Sequence, residues 1–134
     1  MKLTKKLFSL VLSISLVAML SVTAFAIESR YIGAPDAYSY LSVSGEKATM
    51  YSEMTGNSEI TKIVMTQVLQ KDTGSGFKNV SGTTKTKTFY GNSGTMQNTV
   101  SCNGSGSYRV KTTYKISTAT ETETHTGYSN EVDH

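Results

Sequence analysis

The chain has 134 residues, no Trp, a single Cys and a formal net charge of +3. One thiol excludes an internal disulfide framework, so a fold of this size must hold by packing. Three of the 13 Lys and Arg are Lys2, Lys5 and Lys6; without them ten basic residues face ten acidic ones, and that neutrality removes the electrostatic case for nucleic-acid binding.

Those three lysines open a secretory leader. Leu7 to Val22 is an apolar run broken only by small hydroxyl residues, and Ala24-Phe25-Ala26 follows it with the small-x-small pattern of a signal-peptidase site. The reading is a helical signal peptide over residues 1–26, cleaved after Ala26, and too short for a comfortable membrane span. The absence of Cys at the cleavage site argues against a lipid anchor. A secreted, extracellular monomer is expected, with no membrane association after cleavage.

After Ala26 the chain is rich in Ser and Thr, and Leu41 and Leu69 are its only leucines. That composition favours strands over helices. Residues 27–36, with Gly33 and Pro35, read as an irregular leader, and residues 37–134 as one domain. Tyr38 to Val43 alternates, with Tyr38 and Tyr40 opposite Leu41 and Val43. After a turn at Ser44-Gly45-Glu46, Lys47 to Met54 places Ala48, Met50, Ser52 and Met54 on one face and Thr49, Tyr51 and Glu53 on the other. Ile60 to Gln70 mixes helical and strand spacing. Its β-branched residues favour a central strand buried on both sides, with Gln67 as the exception to its pattern.

Asp72 to Gly76 reads as a hairpin loop returning through Phe77 to Val80. Thr83 to Tyr90 carries Lys85 and Lys87 and reads as an edge strand. Gly91-Asn92-Ser93-Gly94 reads as a turn, and Thr95 to Cys102 as a strand with Met96, Val100 and Cys102 on one face. Asn103-Gly104-Ser105-Gly106 suits positive φ and predicts a hairpin into the next strand. That next strand is the clearest: Tyr108, Val110, Thr112, Tyr114 and Ile116 on one face, Arg109, Lys111, Thr113 and Lys115 on the other. Ser117 to Thr126 has no apolar face and reads as a loop or exposed hairpin end, before Tyr128 and Val132 rejoin the sheet. Seven or eight short strands separated by Gly, Ser and Asn turns predict an all-β, two-sheet antiparallel sandwich, with a closed barrel as the alternative.

The segment Gly106-Ser107-Tyr108-Arg109-Val110 resembles the late strand of fibronectin type III and immunoglobulin-like domains. The resemblance implies that the Tyr108 hydroxyl tethers a corner. Those domains usually bury a Trp on an early strand; here Phe77 or Tyr51 would have to fill that volume. The chain also resembles a group of small secreted proteins of Gram-positive bacteria with no assigned activity, through Leu69-Gln70-Lys71, Gly76-Phe77 and Tyr108-Arg109-Val110. That resemblance implies fold and compartment only.

Candidate chemistry is sparse. Gly91 to Thr95 superficially resembles a nucleophile elbow around Ser93, but it lacks the strand-to-helix setting. Glu121, Glu123 and His125 alternate as they would on one strand face, and a metal would need a second element to converge on them, such as Asp133 and His134. Cys102 reads as a small buried apolar residue. No catalytic, metal or cofactor site is expected. Tyrosine is an amphipathic contact residue of low entropy cost, and Tyr31, Tyr38, Tyr40, Tyr90 and Tyr128 are the candidate binding residues. The expected function is a non-catalytic binding or surface-associated module, with a protein or glycan partner at the cell surface. An exported bacteriocin-like or toxin peptide is the alternative, disfavoured by the neutral charge.

Overall fold

The computed structural model describes residues 32–134, in which every regular element is a strand. The expected signal peptide and the first half of the leader, Tyr31 included, lie outside the described residues. The strands are β1 (Asp36–Ser44), β2 (Lys47–Thr55), β3 (Lys62–Asp72), β4 (Phe77–Asn79), β5 (Lys85–Tyr90), β6 (Ser93–Ser101), β7 (Ser107–Ser117), β8 (Thr122–Tyr128) and β9 (Val132–Asp133).

They form two antiparallel sheets that face each other across one core. One sheet runs β1-β2-β6. In the other, β3 and β7 pair along their whole lengths; β4 and β5 share the free edge of β3, and β8 and β9 that of β7. The result is a sandwich of three ribbons against four. Sequence dictates much of this locally. Ser44 pairs with Lys47 across a two-residue loop, and Gly45 takes φ +59°. Glycine at the first loop position matches the turn whose twist suits a tight hairpin.

The turn at Asn103 to Gly106 is not a hairpin. β6 pairs with β2 and β7 with β3, so this segment carries the chain from one sheet to the other. Its glycines do supply positive φ (Gly104 at +86°), but that chemistry sets a reversal and not the next strand's partner. The Tyr108 hydroxyl lies 2.7 Å from the Asn103 carbonyl and 2.9 Å from that of Gly104. It ties down this crossover, as the resemblance implied.

Three other expectations are corrected or narrowed. Ser93 and Gly94 belong to β6, where Gly94 lies beneath the Phe89 ring. Of the two readings of Ser117 to Thr126, the exposed hairpin end holds: β8 pairs with β7 from Thr122 to Tyr128 around a turn at residues 118–121. β8 lacks an apolar face because its inward-phase Glu123 meets backbone, accepting from the Ile32 N–H at 3.0 Å. Gln67 is no exception to the β3 pattern, being fully buried with Ile63, Met65 and Leu69. Burial of β3 on both faces is confined to Gln67 through Gln70.

Buried Gln67 belongs to a polar belt across the middle of the core. On one side pack Leu41, Met50, Leu69, Cys102, Tyr108 and Val110; on the other, Met54, Ile63, Met65, Tyr114 and Ile116. Between them, Gln67 Nε2 donates to Ser52 Oγ at 2.8 Å and to the Met96 carbonyl at 3.3 Å, while its Oε1 accepts from Asn98 Nδ2 at 2.9 Å. Ser52 Oγ lies 2.7 Å from Thr112 Oγ1, which lies 3.0 Å from Ser39 Oγ, itself 3.1 Å from the Tyr114 hydroxyl. Tyr114 donates to the Tyr38 carbonyl at 3.3 Å.

A carbonyl only accepts, so the contacts to Met96 and Tyr38 fix the direction at both ends. The protons then run from Gln67 through Ser52, Thr112, Ser39 and Tyr114 to Tyr38, each hydroxyl donating once. Neither Phe77 nor Tyr51 fills the core, as both side chains lie on outward-phase positions.

Candidate functional site

Each sheet presents an outer face, and the tyrosines divide between the two. On β1 the outward phase carries Tyr38, Tyr40 and Ser42; on β2, Glu53, Tyr51 and Thr49; on β6, Thr95, Gln97 and Thr99. Register sets these in rows: Tyr38–Glu53–Thr95, Tyr40–Tyr51–Gln97 and Ser42–Thr49–Thr99. Directly opposed side chains on a sheet stand about 5 Å apart at Cβ, so Tyr38, Tyr40 and Tyr51 occupy neighbouring positions of one face. The Tyr38 and Tyr51 centroids are 6.3 Å apart at an interplanar angle of 62°. Tyr38 and Tyr40 are 56% and 47% exposed. The Tyr51 hydroxyl donates to Glu53 Oε2 at 2.6 Å, and this bond to the carboxylate holds the phenol above its ordinary pKa of 10.0.

The opposite face belongs to β5-β3-β7-β8. It carries the other two described candidates, Tyr90 (84% exposed) and Tyr128 (51%). Tyr90 pairs with Lys62, and Tyr128 pairs with Lys111 opposite Val68. Six residues of β3 separate those rows, about 20 Å by strand rise. The candidate tyrosines therefore do not converge on one patch. Tyr38 and Tyr40 share one face as successive outward positions of β1, while Tyr90 and Tyr128 stand apart on the far face.

Tyr128 has a different neighbour. The Arg109 guanidinium carbon lies 4.1 Å from the Tyr128 ring centroid and 4.0 Å from that of Phe77. The rings reach it from opposite flanks of β7, and Arg109 Nε donates to Gln70 Oε1 at 2.8 Å. Guanidinium stacked between two aromatic faces is held by cation–π attraction in a fixed plane. Tyr51 and Arg109 were both legible as wet-face residues. What sequence does not give is the register that sets Tyr51 beside Tyr40 and Arg109 between two rings.

The candidate catalytic and metal groups do not assemble. Ser93 is exposed at the start of β6, opposite Thr55. Glu121 closes the turn before β8, its carbonyl accepting from the Thr118 N–H at 2.9 Å. Glu123 lies 3.5 Å from His125 Nε2 and also binds the Ile32 N–H, so this pair anchors the start of the described chain. Asp133 and His134 lie at the opposite end of β7 from Glu123, beside Ser107 and Gly106. Among the described residues no group of three or more His, Cys, Asp and Glu could hold a metal ion. Cys102 is fully buried, and burial pushes its thiol pKa up.

No family model and no curated protein matches the chain. Among solved structures, the chain is similar to OgpA from Akkermansia muciniphila, with 8% identity and a TM-score of 0.43, over 78% of this chain and 31% of that one. It is also similar to the sporulation control protein Spo0M of Bacillus subtilis, with 14% identity and a TM-score of 0.33, over 72% of this chain and 49% of that one. The chain thus spans about a third and about half of these two proteins.

Proposed function

We propose that the protein is a secreted, non-catalytic binding module whose β1-β2-β6 face lies against a neutral polysaccharide at or outside the cell surface. One observation carries this reading: Tyr38, Tyr40 and Tyr51 occupy adjacent positions on a face whose central rows otherwise hold Ser, Thr, Gln and a single acid, Glu53. Small-molecule sites are concave; this face is an open sheet surface, which suits an extended polymer. Aromatic rings offer apolar faces to sugar C–H groups, while the surrounding hydroxyls and amides match sugar hydroxyls. Glu53, the one charge in the central rows, is engaged by the Tyr51 hydroxyl. The leader over residues 1–26 supports export.

The test is retention of the purified mature protein on insoluble polysaccharides such as peptidoglycan, chitin and cellulose. Retention of the parent and its loss in Tyr38→Ala/Tyr40→Ala, with unchanged circular dichroism, is the expected result. Failure to bind any polysaccharide, or equal retention of the double variant, would overturn the reading.

A further inference from the structure

The domain is neutral in sum, yet its charges are segregated. On the outer face of β3, β5, β7 and β8, the rows from Gln70–Arg109 to Lys62–Ser117 hold Arg109, Lys111, Lys115 and Lys62. No Asp or Glu occupies any of those strand positions. The two acids in outward phase, Asp72 and Asp133, lie one row beyond, on either side of Ser107. Both are engaged: Asp72 Oδ1 accepts from the Gly74 and Gly76 N–H groups, and Asp133 from the Ser107 hydroxyl.

Arg109 is the organised member of this set. Phe77 and Tyr128 hold its plane and Gln70 takes its Nε proton, while neither Nη group donates to any of the described residues. A guanidinium fixed in this way presents two parallel donors that fit an oxyanion in bidentate fashion, at little entropic cost. Arg109, Lys111 and Lys115 then line one strand over six residues, about 20 Å, and Thr113 stands among them in a row with Thr66, Thr86 and Thr126.

We propose that this face is a second binding surface, for a linear polymer of repeating phosphates that carries no bases, with Arg109 as its bidentate phosphate anchor and Lys111, Lys115 and Lys62 as point charges along the stripe. Charge complementarity selects a polyanion, and the length of the stripe selects a repeating one over a single small anion. Nucleic acid fits less well. Its binding without sequence preference relies on aromatic platforms for the bases, and Phe77 and Tyr128 already spend ring faces on Arg109.

The probe is long-chain inorganic polyphosphate, titrated calorimetrically against the mature protein at several salt concentrations. Binding at low salt is expected, weakening with a log–log slope of about −2 to −3 for three or four phosphate contacts by the single-strand rule. Arg109→Lys keeps the charge but loses the fork, and at least a tenfold loss is expected. Lys115→Glu, at an exposed side chain, lowers affinity without touching the anchor or the fold. Tyr38→Ala/Tyr40→Ala leaves polyphosphate binding unchanged, which separates this proposal from the polysaccharide reading. No binding at low salt, equal affinity in a folded Arg109→Lys variant, or tighter binding to single-stranded DNA than to polyphosphate of matched charge would each overturn it.

Discussion

Ser52 Oγ and Thr112 Oγ1, one from each sheet, meet at 2.7 Å in the middle of the core, and neither residue is accessible to solvent. Immunoglobulin-type sandwiches commonly place an inter-sheet disulfide and a Trp in their core. This chain has neither, and uses a chain of directed hydrogen bonds. Buried polar groups are costly when unpaired and specific when paired. Because the belt runs from Gln67 to Tyr38, a one-residue slip of either sheet would strand several partners at once.

Removing one member should therefore cost more than one ordinary hydrogen bond. Ser52→Ala leaves Gln67 Nε2 and Thr112 Oγ1 without their shared partner, and a loss of about 1–3 kcal/mol is expected for such buried groups. Thr112→Val should cost a similar amount. The two should couple by about 0.5–3 kcal/mol, because they share one network. Urea denaturation of the parent, both singles and the double closes the cycle. Strict additivity would mean that the belt is not a unit.

The alternation of β2 and β7 was legible because their inward side chains meet an apolar partner along most of their length. Legibility failed where the inward side chain meets something else. Gln67 looks out of phase until Ser52 and Asn98 are brought to it from strands 15 and 31 residues away. β8 could be read as either a loop or a hairpin end because its inward Glu123 binds the backbone of Ile32, 91 residues distant. Turn chemistry announced a reversal at Asn103 to Gly106, but the choice between hairpin and crossover depends on which sheet β7 joins. The candidate site suffered similarly. Composition picked out tyrosines, whereas strand register decides which of them share a face.

Gly94 should not tolerate a side chain. A Cβ built there would lie 2.6 Å from the Phe89 ring, which is packed against the cluster containing Met54 and Ile63. Gly94→Ala must displace that ring, and overpacking of this kind costs about 1–3 kcal/mol. Phe89→Leu in the same background should recover part of the loss. Thermal denaturation of the three variants measures both effects.

Cys102 should be inert in the folded protein. It is fully buried, and burial, the leading cause, holds the thiol above its ordinary pKa of 9.0; the Tyr108 hydroxyl and Lys71 oppose this only in part. The thiolate is the reactive species, so a disulfide reagent near pH 8 should label the native protein very slowly and the urea-unfolded protein with one equivalent. A raised folded pKa means that the thiol's contribution to stability is complete below the unfolded pKa and is lost as pH rises through the folded one. The Cys102-dependent loss of stability is therefore expected only in the alkaline range. Cys102→Ala should remove it, and a loss confined to acid pH would contradict the assignment.

Asn130 should govern the solution behaviour of β1. Its side-chain amide pairs with the Leu41 backbone, Oδ1 accepting from Leu41 N at 2.9 Å and Nδ2 donating to Leu41 O at 3.1 Å. These are the groups an edge strand would otherwise offer to another chain, and exposed strand edges template association. Asn130→Ala uncovers both, with an expected loss of about 1–3 kcal/mol. The more telling readout is association. Light scattering should detect concentration-dependent oligomers in Asn130→Ala and not in the parent. Asn130→Asp, which keeps the acceptor and loses the donor, should fall between them. If Asn130→Ala is as monodisperse as the parent, the amide contributes to stability alone and something else protects the edge of β1.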